Sequence, residues 1–472
     1  MNSETCCHGI SDVIHSDLKL PEACYKIIDT FQFQRLRLIK QLGTGSRVYP
    51  SASHTRFEHA IGASHLAGKY GKMLQSKQPE LHITETDVTS LYLAGLTRDL
   101  GGGPLASVWT EFMTRTGQVN YSPGVMSTRM LDYVMEQNDL TVEMLGLRSV
   151  EDIVFVKELV LGKPLDGGNE FKGRGRDKWF LYQIVTNLAT TIDTATFDAT
   201  LRDANYLNLK TAFDTDLIMN NTYVSKAKEE AESTLTYAHS ILDNLLEFGR
   251  AREQLYFFLG GRKVVRVIEE MMIDVLIAAD EHFIVTGKDG QRFKLSNAHE
   301  DLAAFCKLTD TIVDQIYNWG NGGDRAKRLL DDIMRRKLYQ FVNSVTDLTA
   351  ESMEMSAFVA KLQAINPTQV VIIKTTRGFY PNDEDNPLNK ALFYGKQNKE
   401  HTFRASFATT LRKAQNGRLY IVLRPGYALT PMGGCATPTE RGDCGDGEDL
   451  DLLKERVKKY LAECGTCIKI GL

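Results

Sequence analysis

Two short stretches of the chain carry side chains suited to metal and phosphate chemistry. In SHTRFEHAIGASHLAG (53–68), His59 offers an imidazole and Arg56, one turn back, a guanidinium. In LYLAGLTRDLGGGP (91–104), Asp99 offers a carboxylate with Arg98 before it and a glycine run after it. An imidazole and a carboxylate from two helices can share a divalent ion and leave positions open for water or phosphate. Such a site also needs a second imidazole next to the carboxylate and a distant further carboxylate, and here an arginine stands before Asp99. A guanidinium has five donors, no lone pair for a metal and a charge it never loses at physiological pH. A few Å from a metal position it repels the ion. DLGGGP is not a phosphate loop, since nothing like GK[ST] follows it; a turn stopped by Pro104 accounts for the glycines.

The elements that must hold these residues read as helices. FQFQRLRLIKQL (31–42), VTSLYLAGLTRDL (88–100), AKEEAESTLTYAHSILDNLLEF (227–248) and KVVRVIEEMMIDVLIAAD (263–280) place apolar residues at i, i+3, i+4 and i+7. Thr55 with Glu58 three residues on makes a capping box, which puts Arg56 and His59 in the first turn of a helix. Beyond residue 350 the pattern shifts to short β-rich runs, QVVIIKTT, ALFYGK and RLYIVLRP, then a Gly/Asp-rich linker at 431–448 and an amphipathic helix DLLKERVKKYLAE. The expected fold is mainly α, a helical core over 1–350 with a smaller C-terminal α/β lobe over 351–472.

Composition narrows the function classes. At 472 residues, 43% hydrophobic and 25% charged, the chain is of ordinary globular make-up. A net charge of −4 and a pI near 6.2 give no basic field for sequence-independent nucleic-acid binding. RLRLIK (35–40) and KGRGRDK (172–178) remain as local basic runs, read first as solvated faces or loops. No signal peptide and no run of 18 apolar residues is present, so an intracellular protein with no membrane partner and reduced thiols is expected. Cys435, Cys444, Cys464 and Cys467 are spaced unlike a zinc site, and ordinary thiols are the default.

The stretch from Ile27 to Gly68, with KQPEL, SLYLAGLTRDLGGGP, FLYQIVTN, LTDTIVDQIY and NPLNKALFYGK, closely resembles the SAM and HD domain deoxynucleoside triphosphate triphosphohydrolase family over nearly the whole chain. The family's N-terminal SAM domain has no counterpart and is expected to be missing. The resemblance implies an HD-domain core that cleaves dNTPs to deoxynucleoside and triphosphate and forms tetramers around guanine nucleotide and dNTP, in the nucleus or cytoplasm. Carried over by position, the first metal His is His59, the phosphate-contacting Arg is Arg56, and the Asp of the His-Asp pair is Asp99. The His of that pair falls on Arg98, the catalytic His of the family's DLGHGP on Gly102, and the distal metal Asp on Ala195. A substrate-side Lys and Tyr fall on Thr196 and Ala199, a Tyr-Gln pair near Gly260 and Gly261, and a second catalytic-site His near Tyr121, with no histidine between His82 and His239 to supply it.

Regulatory positions fare better by the same resemblance. The guanine-reading Asp, Gln and Arg fall on Asp29, Gln34 and Arg37; an Asp accepts from the guanine N1 and N2 donors and an Arg meets phosphate. Gln41, Leu42, Val48, Tyr49, Arg336 and Lys396 fall at or near regulatory contacts, while a regulatory Lys and Asn fall on His8 and Ser11. The reading that follows is a catalytically disabled homologue that binds GTP or dNTP and acts as a regulatory or scaffold subunit. It would be a homo-oligomer, dimer or tetramer, or a partner of an active paralogue. No metal is expected at the HD site; Mg²⁺ would arrive only with a regulatory nucleotide. The rivals are an active enzyme that recruits Asp198 or Asp203 as the missing carboxylate, and a single-stranded nucleic-acid or protein-binding module.

Overall fold

Helix Arg56–Lys77 is the element on which the rest of the core is laid. Thr55 starts it with the expected capping box, the Glu58 carboxylate taking the Thr55 backbone N–H. The same device begins helices Glu85–Thr97 and Val150–Leu161, through Thr84 with Asp87 and Ser149 with Asp152. Arg56–Lys77 packs against both Glu85–Thr97 and Thr194–Tyr206. A close approach makes this possible: a Cβ on Gly62 would lie 1.9 Å from the Asp198 carboxylate, so glycine lets that acid tuck against the helix. Tyr70, Leu91, Phe155 and Phe197 are fully buried in the core so formed, each worth about 1.5–3 kcal/mol on burial.

The computed structural model describes residues 9–226, 232–318, 323–348, 353–375, 387–396, 399, 402–404, 417–425, 449–464 and 470–471. The mainly helical architecture matches expectation. Two predicted helices differ. FQFQRLRLIKQL is a short α-turn, Phe31–Gln34, running into the 3₁₀ turn Arg35–Leu38. The tightening accompanies the Arg35 guanidinium, buried and donating to the carbonyls of Leu308, Leu100 and Gly102. Within AKEEAESTLTYAHSILDNLLEF, Ser233–Ala238 is a strand and helix begins only at Leu242. Its Thr and Tyr residues suit a pleated surface, and pairing with strands on both sides overrides the helical spacing.

That strand belongs to a mixed four-stranded sheet in the order Thr402–Arg404, Leu392–Tyr394, Ser233–Ala238, Thr222–Lys226, with Leu392–Tyr394 parallel to Ser233–Ala238. A second, antiparallel sheet runs Ile470–Gly471, Gln340–Leu348, Gly417–Leu423, Val370–Thr375. Helices Met353–Ile365 and Leu450–Cys464 contribute to its own core of Phe358, Leu362, Val370, Ile421, Leu453 and Val457. A division at 350/351 therefore cuts across both sheets. Gln340–Leu348 pairs with the C-terminal strands, and Leu392–Arg404 returns to the helical core, because strand pairing joins segments distant in sequence. The linker 431–448 and Cys435, Cys444 and Cys467 lie outside the described residues, as does the side chain of Cys464. Cys24 and Cys306 are buried free thiols. Among the described residues no helix is long and apolar enough to cross a membrane.

Candidate functional site

His59 comes from the first turn of Arg56–Lys77, and Asp99 from the turn just past the end of Glu85–Thr97. The fold brings them together: His59 Nε2 lies 3.2 Å from Asp99 Oδ2. Arg56 Nη1 reaches the same oxygen at 3.0 Å, and Arg98 Nη1 takes Oδ1 at 3.1 Å. Arg98 does not point away into solvent; its Nε also donates to Thr186 Oγ1 at 3.0 Å. Both oxygens of Asp99 are thus engaged by cations. Burial pushes the Asp99 carboxyl upward, but the Arg56 charge, the His59 bond and Arg98 together hold it far below the usual carboxylate range.

On the other edge of the ring, His59 Nδ1 meets Asp198 Oδ2 at 2.7 Å. Asp198, one turn into Thr194–Tyr206, is fully buried and accepts two bonds from Arg202, at 3.0 and 2.9 Å. It also accepts from His15 Nε2 at 2.7 Å, while Asp12 holds Arg202 Nη1 at 2.9 Å. The hairpin Ile10–Asp12/Ser16–Leu18 is therefore fastened to the site from behind. Burial alone would depress His59; its bonds to Asp198 and Asp99 more than reverse this and lift its pKa to about 9. The raised pKa favours the charged ring, with Nδ1 on Asp198 Oδ2 and Nε2 facing Asp99 Oδ2.

These residues do not fit a divalent ion. His59 Nδ1 is held by Asp198 and its Nε2 faces Asp99, and the Asp99 carboxylate is covered by two guanidiniums. Ala195 is a buried methyl two residues after the N-cap Asp193. Asp198 stands behind His59, not beside Asp99, and Asp203 is turned to His54 Nε2 at 2.7 Å, so neither supplies the missing ligand. Among the described residues no group of three His, Cys, Asp or Glu side chains is arranged to hold a metal. Gly102 lies against Arg56: a Cβ there would stand 3.0 Å from Arg56 Cδ and Nε, so a larger side chain would compete with Arg56 for the space.

Sequence reasoning missed Asp12, His15, Asp193 and Arg202. Arg202, four residues after Asp198, and Asp193, an N-cap, have local signals; His15 has none, since 183 residues separate it from Asp198. Tyr121, near which the resemblance placed a second catalytic-site His, has His299 edge-on at 5.8 Å, brought in from a distant segment. Thr196 and Ala199 sit on Thr194–Tyr206, and Gly260 and Gly261 follow Leu242–Leu259.

The N-terminal cluster is also assembled. Asp29 ends helix Glu22–Ile28 and is exposed. Gln34 Nε2 donates to the Ile28 carbonyl at 2.7 Å, its Oε1 accepts from Arg37 Nε at 2.7 Å, and the Arg37 guanidinium lies 3.5 Å over the Phe57 ring. Arg336, in a left-handed conformation, donates to the Arg47 carbonyl next to Val48. Leu42 and Tyr49 pack on Ala52, Ala204, Leu207 and Leu255, with the Tyr49 hydroxyl given to the Phe258 carbonyl at 2.9 Å. Gln41 leaves a buried Oε1 without a partner. Lys396 is exposed beyond strand Leu392–Tyr394. Of the basic runs, RLRLIK has spent Arg35 on buried carbonyls. In KGRGRDK, Arg174 pairs with Asp87 and Asp152 and Lys178 with Asp87, all at 2.6 Å.

No protein-family model matches the chain. It is 33% identical over 408 residues to the deoxynucleoside triphosphate triphosphohydrolase SAMHD1 of Danio rerio, covering 82% of this chain and 65% of that protein. With the protein of the same name from Bos taurus, identity is 32% over 409 residues, 82% of this chain and 69% of the relative. The chain belongs to the SAMHD1 deoxynucleoside triphosphate triphosphohydrolase family. It spans about two thirds of the length of these two relatives. A putative HD domain-containing protein of Acanthamoeba polyphaga mimivirus matches at 24% over 422 residues, 83% of this chain and 85% of its own.

Proposed function

We propose that this member of the family is catalytically silent and works as a nucleotide-binding regulatory or scaffold subunit, self-associated or joined to an active paralogue. One observation carries the first half: both oxygens of Asp99 are taken by Arg56, Arg98 and His59. A metal would have to displace two guanidiniums and deprotonate an imidazolium before gaining its first two ligands. Without it no water is activated, and with glycine at 102 no imidazole protonates a leaving oxygen, a contribution of about 10² to 10⁴ in rate where it operates.

The second half is supported by Asp29 and Arg37, a carboxylate acceptor and a cation that are both exposed, with Gln34 bonded to Arg37 and to the Ile28 carbonyl. GTP or a dNTP, with Mg²⁺ carried on its phosphates, is the ligand proposed. The nucleic-acid alternative loses support, because most of the cations of RLRLIK and KGRGRDK are committed to internal partners.

The test is dGTP turnover by the purified chain with GTP and Mg²⁺ or Mn²⁺, resolving triphosphate and deoxyguanosine by chromatography, with His59→Ala as the contamination control. Absence of triphosphate, together with GTP binding that Arg37→Ala weakens, is the expected outcome. Triphosphate release that vanishes in His59→Ala overturns the proposal.

A further inference from the structure

A second site lies behind the Arg98 cluster. A cavity of about 530 Å³ opens between the helical core and the mixed sheet, within the roughly 300–1,000 Å³ usual for small-molecule sites. Its core wall carries Phe171, Trp179 and Tyr182. Phe171 and Tyr182 are stacked, centroids 3.6 Å apart and 8° from parallel, and Trp179 meets Phe171 edge-on at 5.3 Å. Lys390, exposed, and Arg404, already engaged with another partner, also stand on the lining, with one carboxylate, Glu232, which lies 3.6 Å from Arg176. Leu188, 61% exposed in spite of its apolar side chain, stands on the same lining.

The wall shared with the HD-type cluster is one residue thick. Thr186 lines the cavity, and its Oγ1 both donates to the Val160 carbonyl at 3.1 Å and accepts from Arg98 Nε. Asn187, also on the lining, donates its backbone N–H to Asp193 Oδ2 at 2.9 Å, and Asp193 caps the helix that carries Asp198. An occupant that pushes on Thr186 or Asn187 pushes on the anchors of both Arg98 and Asp198.

We propose that this cavity binds a small organic anion bearing a planar aromatic ring, and that its occupancy is transmitted to Arg98 through Thr186. The ring packs against the Phe171 and Tyr182 stack, and the anionic group meets Lys390. Neither half depends on whether the Asp99 site is silent. A ring-bearing phosphate ester and a ring-bearing carboxylate share the required chemistry.

Titration calorimetry on the full chain, without divalent ions, tests binding. The probes are adenosine 5′-monophosphate, indole-3-acetate, adenosine and inorganic phosphate. At least one ring anion binds, adenosine and phosphate bind about tenfold more weakly or worse, and Lys390→Glu costs the ring anion about tenfold, or 1.4 kcal/mol. Arg37→Ala and Arg56→Ala, which alter the other two anion-facing clusters, leave this affinity within about threefold, under 0.7 kcal/mol. Lys390 is exposed, so its variant keeps the fold. Failure of both ring anions to bind, or binding lost in Arg56→Ala or Arg37→Ala and untouched by Lys390→Glu, overturns the site. For the coupling, the ¹⁵Nε resonance of Arg98 shifts on saturation in the parent chain and not in Thr186→Val. Saturation with no shift in the parent chain overturns the coupling.

Discussion

The cluster around Asp99 and the cluster around Gln34 both carry cations and acceptors, and they spend them in opposite ways. At Asp99 the partners are supplied internally. Arg56, Arg98 and His59 saturate the carboxylate, Asp198 closes the far side of His59, and Arg202, Asp12 and His15 close Asp198 in turn. At Gln34 the interactions are few, and Asp29 and Arg37 keep exposed faces. A saturated buried cluster holds the fold and has no valence left for a ligand; a sparsely bonded surface cluster costs the fold little and can accept one. The contrast is the structural basis of the proposed function.

The comparison is broken or sharpened most severely at Asp198. Asp198→Ala leaves Arg202, His59 and His15 without their shared acceptor in a fully buried position, and removing one member of such a network costs about 3–5 kcal/mol. Urea unfolding checks it; a loss under about 1 kcal/mol would show that the cluster is not holding the fold.

A pH effect comes next. The folded pKa of His59, about 9 against an ordinary 6.5, is raised, so its contribution is complete below pH 6.5 and is lost as pH rises through 9. The full span is on the order of 3 kcal/mol. Asp99 and Asp198, both held low, act in the other direction: their contribution is present above about pH 4 and lost on acidification. Unfolding free energy from these groups therefore has its maximum between about pH 4 and 6.5 and declines toward pH 9. His59→Gln removes the alkaline decline, and an unchanged profile in that variant would assign it elsewhere.

Smaller effects follow at Arg98 and Arg37. Arg98 is partly exposed, so Arg98→Ala costs about 1 kcal/mol or less. The sharper test is Arg98→His combined with Ala195→Asp, in which Mn²⁺ raises Tm by a few degrees while leaving the parent chain unchanged. A Tm rise in the parent would place a metal where the geometry argues against one. Arg37→Ala shifts stability by about 0.5 kcal/mol or less, yet weakens GTP binding. If it destabilises the fold and spares binding, the two clusters have exchanged roles.

Much of this was legible in the chain itself. The capping box at Thr55, the helical core, the C-terminal strands and the inability of Arg98 to offer a metal a lone pair follow from local pattern and side-chain chemistry, because helix starts and metal-donor capacity are properties of single residues and their near neighbours. The strand at Ser233–Ala238 was hidden by a helical spacing that pairing overrides, and the 3₁₀ turn at Arg35–Leu38 by a buried arginine whose acceptors lie far along the chain. The approach of His299 to Tyr121 was hidden for the same reason, since it arrives from a distant segment.

What the amino-acid types decided alone is that the Arg98 side chain has no lone pair with which to ligate a metal. What only the tertiary structure decided is that Arg98 folds onto Asp99 instead of facing water, that His59 is clamped between two carboxylates, and that His15 and Asp12 brace them from the N-terminal hairpin. Charge state and hydrogen-bond saturation depend on which groups meet in a buried, low-dielectric space, and that meeting is a property of packing across the whole chain.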